Sequence, residues 1–379
     1  MPVALAFSVL DLTGSAGSLG VVLAAQTIPL VVFVLFGGVW ADRLPRRRVM
    51  IASDLVRALT QGLCAALLLT GNAQLWEVAA LQAVYGTARA FFDPAALALV
   101  PETVRVDQLQ QANSVLALSD NLAAVIGPAV AGVIVAVSQP GWGLAVDAVT
   151  FVGSAVCVGA MPAVTAAVRR RSSMLHELRA GWSAFRARRW LWVTVLCFTL
   201  YVGFCWAPWQ VLGPEIAAQS LGGPGAWAAI VVALGVGSII GGIVGLRIRP
   251  RHPFRLTMTL FATVTPAMYV LVGAHAPLPA ILALALVDGA AGTLFNTVWF
   301  TAMQSDVPSE ELARVFSWDY LGTTAVLPLG QALSGPVGAT LGLSTTFYWT
   351  AGATMVLFGS ALAVRAVRDF SPPALAPAG

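Results

Sequence analysis

Gly37-Gly38-Val39-Trp40-Ala41-Asp42-Arg43-Leu44-Pro45-Arg46-Arg47-Arg48 is the stretch that decides the fold of this chain. It lies between two apolar runs, Leu19 to Val39 and Val49 to Leu69. An apolar run of about 20 residues crosses a bilayer as a helix. A short turn dense in Arg between two such helices stays at the water surface. The stretch therefore marks a helical hairpin in a membrane.

Composition extends this reading to the whole chain. Hydrophobic residues make up 58% and charged residues 10%, and the mean hydropathy is +0.82. A soluble domain carries about 25% charged residues, so this chain cannot cover a water-facing surface of its size. Its apolar runs are continuous. A barrel would alternate apolar and polar residues in segments of about 10, so the expected class is an all-α membrane protein. All 21 basic residues are Arg. Their positions explain the net charge of +4, which is no nucleic-acid footprint. Cys64, Cys157, Cys197 and Cys205 all fall inside apolar runs. None has metal-ligand spacing with a His, and small apolar packing is their expected role. The sequence holds no phosphate loop, metal cluster or nucleophile–base arrangement. It reads as no enzyme, with no catalytic residue, cofactor or metal.

Spans are expected near 19–40, 49–70, 75–99, 112–137, 143–161, 191–212, 226–246, 255–273, 278–302, 315–339 and 345–366, eleven in all, numbered 2 to 12 because the N-terminal stub counts as the first. Met1 to Leu10 is apolar but about half the length needed to cross, and Asp11-Leu12-Thr13-Gly14-Ser15 reads as a turn. The stub has no basic n-region and so makes a poor signal peptide. It reads as the outer half of a first helix whose inner half is absent. The expected organisation is a helical bundle over 1–161, a linker over 162–190, a second bundle over 191–366 and a tail over 367–379. Within the linker, Met174 to Phe185 has apolar residues at helical spacing and suits an amphipathic helix on the membrane surface.

The Arg positions orient the chain, because cytoplasmic loops are enriched in Lys and Arg. In the eleven-span reading, Arg43, Arg46, Arg47, Arg48, Arg105, the seven Arg between Arg169 and Arg189, then Arg247, Arg249, Arg251, Arg255, Arg314, Arg365 and Arg368 all fall on one face. The opposite loops hold none. Only Arg57 and Arg89 lie within spans. The expected location is the cytoplasmic membrane, multi-pass, with the C-terminus cytoplasmic.

The spacing Gly38-x-x-x-Asp42-Arg43-x-Pro45-Arg46-Arg47 resembles the loop between the second and third helices of the major facilitator superfamily. One departure is Pro45, where the family usually has Gly. The halves also repeat. Phe92-Asp93 aligns with Phe295-Asn296, Ser114 with Ser317, Gly132 with Gly335, and Gly37-Gly38 with Gly241-Gly242, while Asp42 has become Leu246. Parallel six-helix halves with substrate near the midplane between them are the arrangement of that superfamily. The resemblance implies a secondary transporter of twelve helices. Here it implies eleven complete spans plus an N-terminal half-helix, and a truncated start.

Ionisable groups at the bilayer centre cost about 2.5–3.5 kcal/mol on insertion scales, so each needs a reason. Asp54 and Arg57 lie three apart in span 3, and Arg89 and Asp93 four apart in span 4, each pair on one helix face. They are expected to form a charge cluster beneath the Asp42 loop, either as a latch or as packing. The resemblance implies that Asp42 braces the second half and that Arg46 pairs with Asp93. Gly38, Arg43 and Arg47 complete the latch set. Gly127-Pro128-Ala129-Val130-Ala131-Gly132 resembles the exporter-associated motif of the superfamily. Ordinary small-residue packing is the competing account. Asp288, near the middle of span 10, and Asp120 and Asp319, in the inner thirds of spans 5 and 11, are midplane acids without an adjacent charge in sequence. They are candidate proton or cation-substrate contacts, against a structural reading as hydrogen-bonded acids. Glu77 and Asp147 read as interfacial, as do Trp76, Trp142 and Trp227. Tyr201, Phe204, Trp206, Trp209, Phe295 and Trp299 read either as cavity lining or as packing.

Ala41-Asp42-Arg43-Leu44-Pro45-Arg46-Arg47, Phe91-Phe92-Asp93-Pro94-Ala95 and Gln111-Ala112-Asn113-Ser114 are similar to the macrolide-efflux and enterobactin-exporter branch. The resemblance implies a monomer that exports hydrophobic or amphipathic small molecules by proton antiport. The partners are then a small-molecule substrate, protons and the lipid bilayer, with no nucleic acid. An importer or lipid flippase on the same fold, and an inactive truncated remnant, are the other two readings.

Overall fold

A computed structural model describes residues 2–41, 45–104, 108–161, 174–245, 247–248 and 250–371, with some side chains inside these ranges not described. The described residues hold helices and no strand. Asp42, Arg43 and Leu246 lie outside them.

The short helix α1 (Pro2–Thr13) precedes α2 (Ala16–Ala41), α3 (Arg46–Leu69), α4 (Leu75–Thr103), α5 (Leu109–Val137) and α6 (Gly141–Ala160). The linker helix is α7 (Met174–Ala187). One span then runs through α8 (Arg189–Tyr201), a π-helical turn (Val202–Trp206), α9 (Ala207–Ile216) and a second π turn (Ala217–Leu221). After it come α10 (Pro224–Gly245), α11 (Pro253–Gly273), α12 (Leu278–Asp306), α13 (Ser309–Thr324), α14 (Leu327–Leu341), α15 (Leu343–Ala363) and the single turn α16 (Arg365–Arg368). Seven of the described helical segments are long and apolar enough to cross a membrane by length and composition. Helices α4 and α5, the α13–α14 segment and α15 coincide with the other four expected spans.

Several boundaries differ from expectation. Helices α4 and α12 run on to Thr103 and Asp306, and α13 begins at Ser309. Hydropathy marks where the bilayer ends. The helix continues into water until a turn residue stops it. At the other end α4 starts with a capping box, in which Glu77 accepts a hydrogen bond from the Gln74 N–H at 3.0 Å. The expected turn at 11–15 narrows to Gly14, whose φ of 64° is a left-handed conformation that suits glycine. Pro45 caps α3 at φ −56° and ψ 113°. The last expected span pair is also irregular: the eleventh span breaks between α13 and α14.

Two compact units divide the chain. The first comprises Met1–Arg170, Ala217–Ala228 and Gln331–Pro336, and the second comprises Arg171–Ile216, Ala229–Gly330 and Val337–Gly379. In the first, Leu5 and Val9 of α1 pack with Leu19 and Val22 of α2, Cys64 of α3 and Leu144 of α6. A Cβ on Gly86 of α4 would collide with the backbone of Gln26 in α2. The second unit has an aromatic core, with Phe198 stacked on Phe295 at 4.3 Å and Phe261 on Phe358 at 4.8 Å. There a Cβ on Gly289 of α12 would collide with the backbone of Leu234 in α10. Gly86 and Gly289 stand at the same offset as Phe92 and Phe295, so the repeat extends to these close helix approaches.

Candidate functional site

The first unit buries an ion pair inside three helices. Arg57 of α3 donates to Asp54 Oδ1 one turn earlier, and the two side chains are 8% and 0% exposed. Ser154 of α6 donates to the other carboxylate oxygen, Oδ2, at 2.7 Å. The guanidinium lies 4.0 Å from the ring centroid of Phe92 (α4) and 4.4 Å from that of Phe151 (α6). Phe151 meets Tyr85 of α4 edge-on at 5.8 Å. Cation–π contacts strengthen on desolvation, so the charge is held by aromatic faces as well as by its counter-ion. Arg57 Nε is buried and has no acceptor among the described residues. The sequence placed Asp54 and Arg57 on one face. It contained nothing that singled out Ser154 or Phe151 as their partners.

The other members of the expected latch sit differently. Arg89 donates to Asp93 at 3.2 Å, and these side chains are 46% and 40% exposed. Arg47, in the first turn of α3, donates to the carbonyl oxygens of Val158, at 3.1 Å, and Gly159. It thereby satisfies the open carbonyl end of α6, where a cation is also favoured by the helix dipole. Arg46 is half-buried at the start of α3. The structure thus sorts the described members of the set into a buried rivet, a helix-end cap and a partly exposed pair. Gly38 lies in α2 near its end.

In the exporter-type motif, Pro128 sits inside α5. A Cβ on Gly132 would collide with that of Ala228 within the same unit, whereas one on Gly127 would meet open space. Asp120 is exposed on α5. Asp147 is half-buried on α6, and its Oδ2 is buried with no hydrogen-bond partner among the described residues.

The second unit holds the remaining acids. Asp288 of α12 accepts a hydrogen bond from Thr265 of α11, a residue with no exposed surface. Asp319 of α13 accepts from the indole N–H of Trp299 at 3.1 Å. Each carboxyl thus has a neutral donor supplied by another helix, which suits both the proton-site reading and the reading as a hydrogen-bonded structural acid. Near Asp288, the hydroxyls of Tyr201 and Tyr269 lie 3.3 Å apart, and Trp209 stacks on Tyr269 at 5.6 Å. Phe295 and Trp299 are core residues, and Phe204 is 58% exposed. Trp76 and Trp142 are exposed, and Trp227, which falls in the first unit, is 5% exposed.

Two features of this unit escaped the sequence reading. Arg188, just before α8, lies 3.4 Å from carboxylate oxygens of both Asp306 and Glu311, and Trp190 donates to Asp306 at 2.9 Å. This ties the end of the linker to the α12–α13 corner. The π turn at Val202–Trp206 faces the break in the eleventh span, where a Cβ on Gly203 would crowd Val326 at 2.6 Å. Single π turns concentrate at functional positions. The only sequence signals were Pro208 and Pro328, close to the two irregularities.

The geometry is matched by likeness to known proteins. Residues 1–322 match the family model described as Major Facilitator Superfamily. The chain is 30% identical over 360 residues to the Multidrug efflux pump Tap of Mycolicibacterium fortuitum, covering 91% of this chain and 86% of that protein. It is 22% identical to Macrolide efflux protein A of Streptococcus pyogenes, over 92% and 87% of the two chains. Among solved structures, the xylose transporter XylE from E. coli in its inward open conformation superposes with a TM-score of 0.72. That pair shares 11% identity and covers 95% and 91% of the two chains, so the likeness speaks to fold alone.

Proposed function

The chain belongs to the Major Facilitator Superfamily and is a multi-pass membrane transporter, and from that premise we propose that it exports hydrophobic or amphipathic small molecules by proton antiport. The export direction is supported by the efflux pumps among its relatives. Proton coupling rests on one observation: the Asp288 carboxyl, in a membrane-length helix, is held by a neutral hydroxyl donor, Thr265, and has no counter-ion among the described residues. A carboxyl so placed can exchange a proton without breaking an ion pair. The Arg-bearing loops and the C-terminus face the cytoplasm, as the one-sided Arg distribution suggests. The chain works as a monomer.

In the latch set, Arg89–Asp93 is the part that breaks and re-forms, because both of its side chains are partly exposed rather than enclosed by neighbouring helices. Asp54–Arg57 holds α3, α4 and α6 together throughout the cycle. Asp42, Arg43 and Arg46 act with the exposed pair.

The deciding assay uses purified protein in proteoliposomes with an imposed pH gradient and a lipophilic fluorescent dye. Dye should accumulate against its gradient in the compartment from which protons leave. A protonophore should abolish this. Accumulation with no dependence on the pH gradient would remove the antiport reading. Accumulation in the same direction as proton flow would mark an importer.

A further inference from the structure

A cavity of about 580 Å³ opens between the linker helix and the membrane helices of the second unit. Its walls include Trp182 and Arg186 of α7, Trp192, Leu196 and Thr199 of α8, and Trp318 of α13. Trp182 and Trp318 meet at 4.8 Å and join the linker to the bundle. The wall is apolar and open: Trp182, Trp192 and Leu196 are 42%, 37% and 51% exposed. Thr199 turns its hydroxyl onto the carbonyls of Val195 and Gly322, both at 2.7 Å, so its polarity is already used. Arg186 is then the one ionisable side chain on the wall among the described residues.

Shape and charge favour one class of occupant. From Arg189 to Thr199 the helix rises about 15 Å, which is half of a hydrocarbon core roughly 30 Å thick. The cavity therefore runs from the arginine-rich surface to the middle of the bilayer, the depth of one leaflet. Trp side chains gather at the headgroup level, and three of them stand around this opening. At its inner end α8 and α13 close tightly at Gly322, where a Cβ would lie 2.7 Å from Val195 Cγ1. Basic pockets between membrane helices take anionic headgroups.

We propose that this cavity binds one acyl chain of an anionic glycerophospholipid, with the phosphate on Arg186. The lipid fills the space between α7 and the α8–α13 pair. It thereby fastens α7 to the membrane helices of its own unit and makes its position depend on membrane composition.

The full chain in neutral detergent is titrated with phosphatidylglycerol or phosphatidylcholine carrying brominated acyl chains. Tryptophan quenching is followed, and retained lipid is counted by native mass spectrometry. Phosphatidylglycerol should be retained about fivefold better, the effect of one basic side chain on an anionic lipid. Arg186→Gln should erase that preference with little loss of phosphatidylcholine. Leu196→Trp, which fills the cavity, should reduce retention of both. Replacing Trp182 and Trp318 by Phe should remove most of the quenchable signal. Equal retention of the two lipids by the wild type, or retention indifferent to both Arg186→Gln and Leu196→Trp, would overturn the proposal. So would one-for-one displacement of the lipid by the transported dye, which would make the cavity a substrate vestibule. The measurement needs neither a gradient nor an orientation, so its outcome is separate from that of the export assay.

Discussion

Arg57 shows how a membrane protein keeps a charge inside a helix bundle. Its carboxylate partner, the Ser154 hydroxyl and two aromatic faces together replace water. Removing one member of such a buried pair strands the other, at a cost of about 3–5 kcal/mol. Arg57→Met should therefore lower the thermal midpoint in detergent sharply, and Asp54→Leu combined with Arg57→Met should recover most of the loss. Equal destabilisation by the single and double variants would mean that packing, not charge, dominates there. The Arg89–Asp93 pair should behave oppositely. It is half-exposed, and exposed pairs contribute only about 0–1 kcal/mol to stability. Asp93→Asn should leave the midpoint nearly unchanged while slowing dye transport severalfold at equal expression. Asp288→Asn keeps the shape and an acceptor for Thr265 but cannot titrate. That variant should bind dye and exchange it downhill but lose accumulation against a gradient. Uphill transport that survives would move proton coupling to Asp319, Asp120 or Asp147.

At the scale of the element, small residues decide where helices touch. Gly86 lets α4 rest on the backbone of α2, which no side chain but hydrogen permits. Gly86→Val forces the helices apart. Overpacking of this kind typically costs about 1–3 kcal/mol, so expression and thermal midpoint should both fall. Gly127→Ala, facing open space, serves as the neutral control. The seventh and eleventh spans behave otherwise, because each is interrupted where they meet. Hydropathy cannot distinguish a continuous span from one carrying a π turn, since the side chains that face lipid are the same in both. The helical character of these spans was therefore legible, and their irregularity was not.

For the whole molecule, the one-sided Arg distribution implies a testable topology. Single cysteines placed at Gly223 and Ser172, in a variant with the four native Cys replaced, should react with a membrane-impermeant maleimide from opposite faces. Reaction of both from the same side would overturn the orientation. The repeat read from Phe92 and Phe295 extends in the structure to Gly86 and Gly289, which an aligned pair of glycines without side chains would hardly advertise.

The sequence by itself determined the membrane class, the number and approximate placement of the spans, the linker helix and the family resemblance. The reason is that a bilayer imposes its constraint locally. Each span must be apolar over a set length, and this can be read one window at a time. Charges inside spans were visible for the same reason, since they break the pattern. What the tertiary structure decided was lateral: Ser154 and Phe151 beside Arg57, Thr265 beside Asp288, Arg47 on the end of α6, and Arg188 between Asp306 and Glu311. These partners come from distant helices. Which of them meet depends on the rotation of each helix about its own axis, and that rotation is set by close packing of small residues and rings, which hydropathy does not encode.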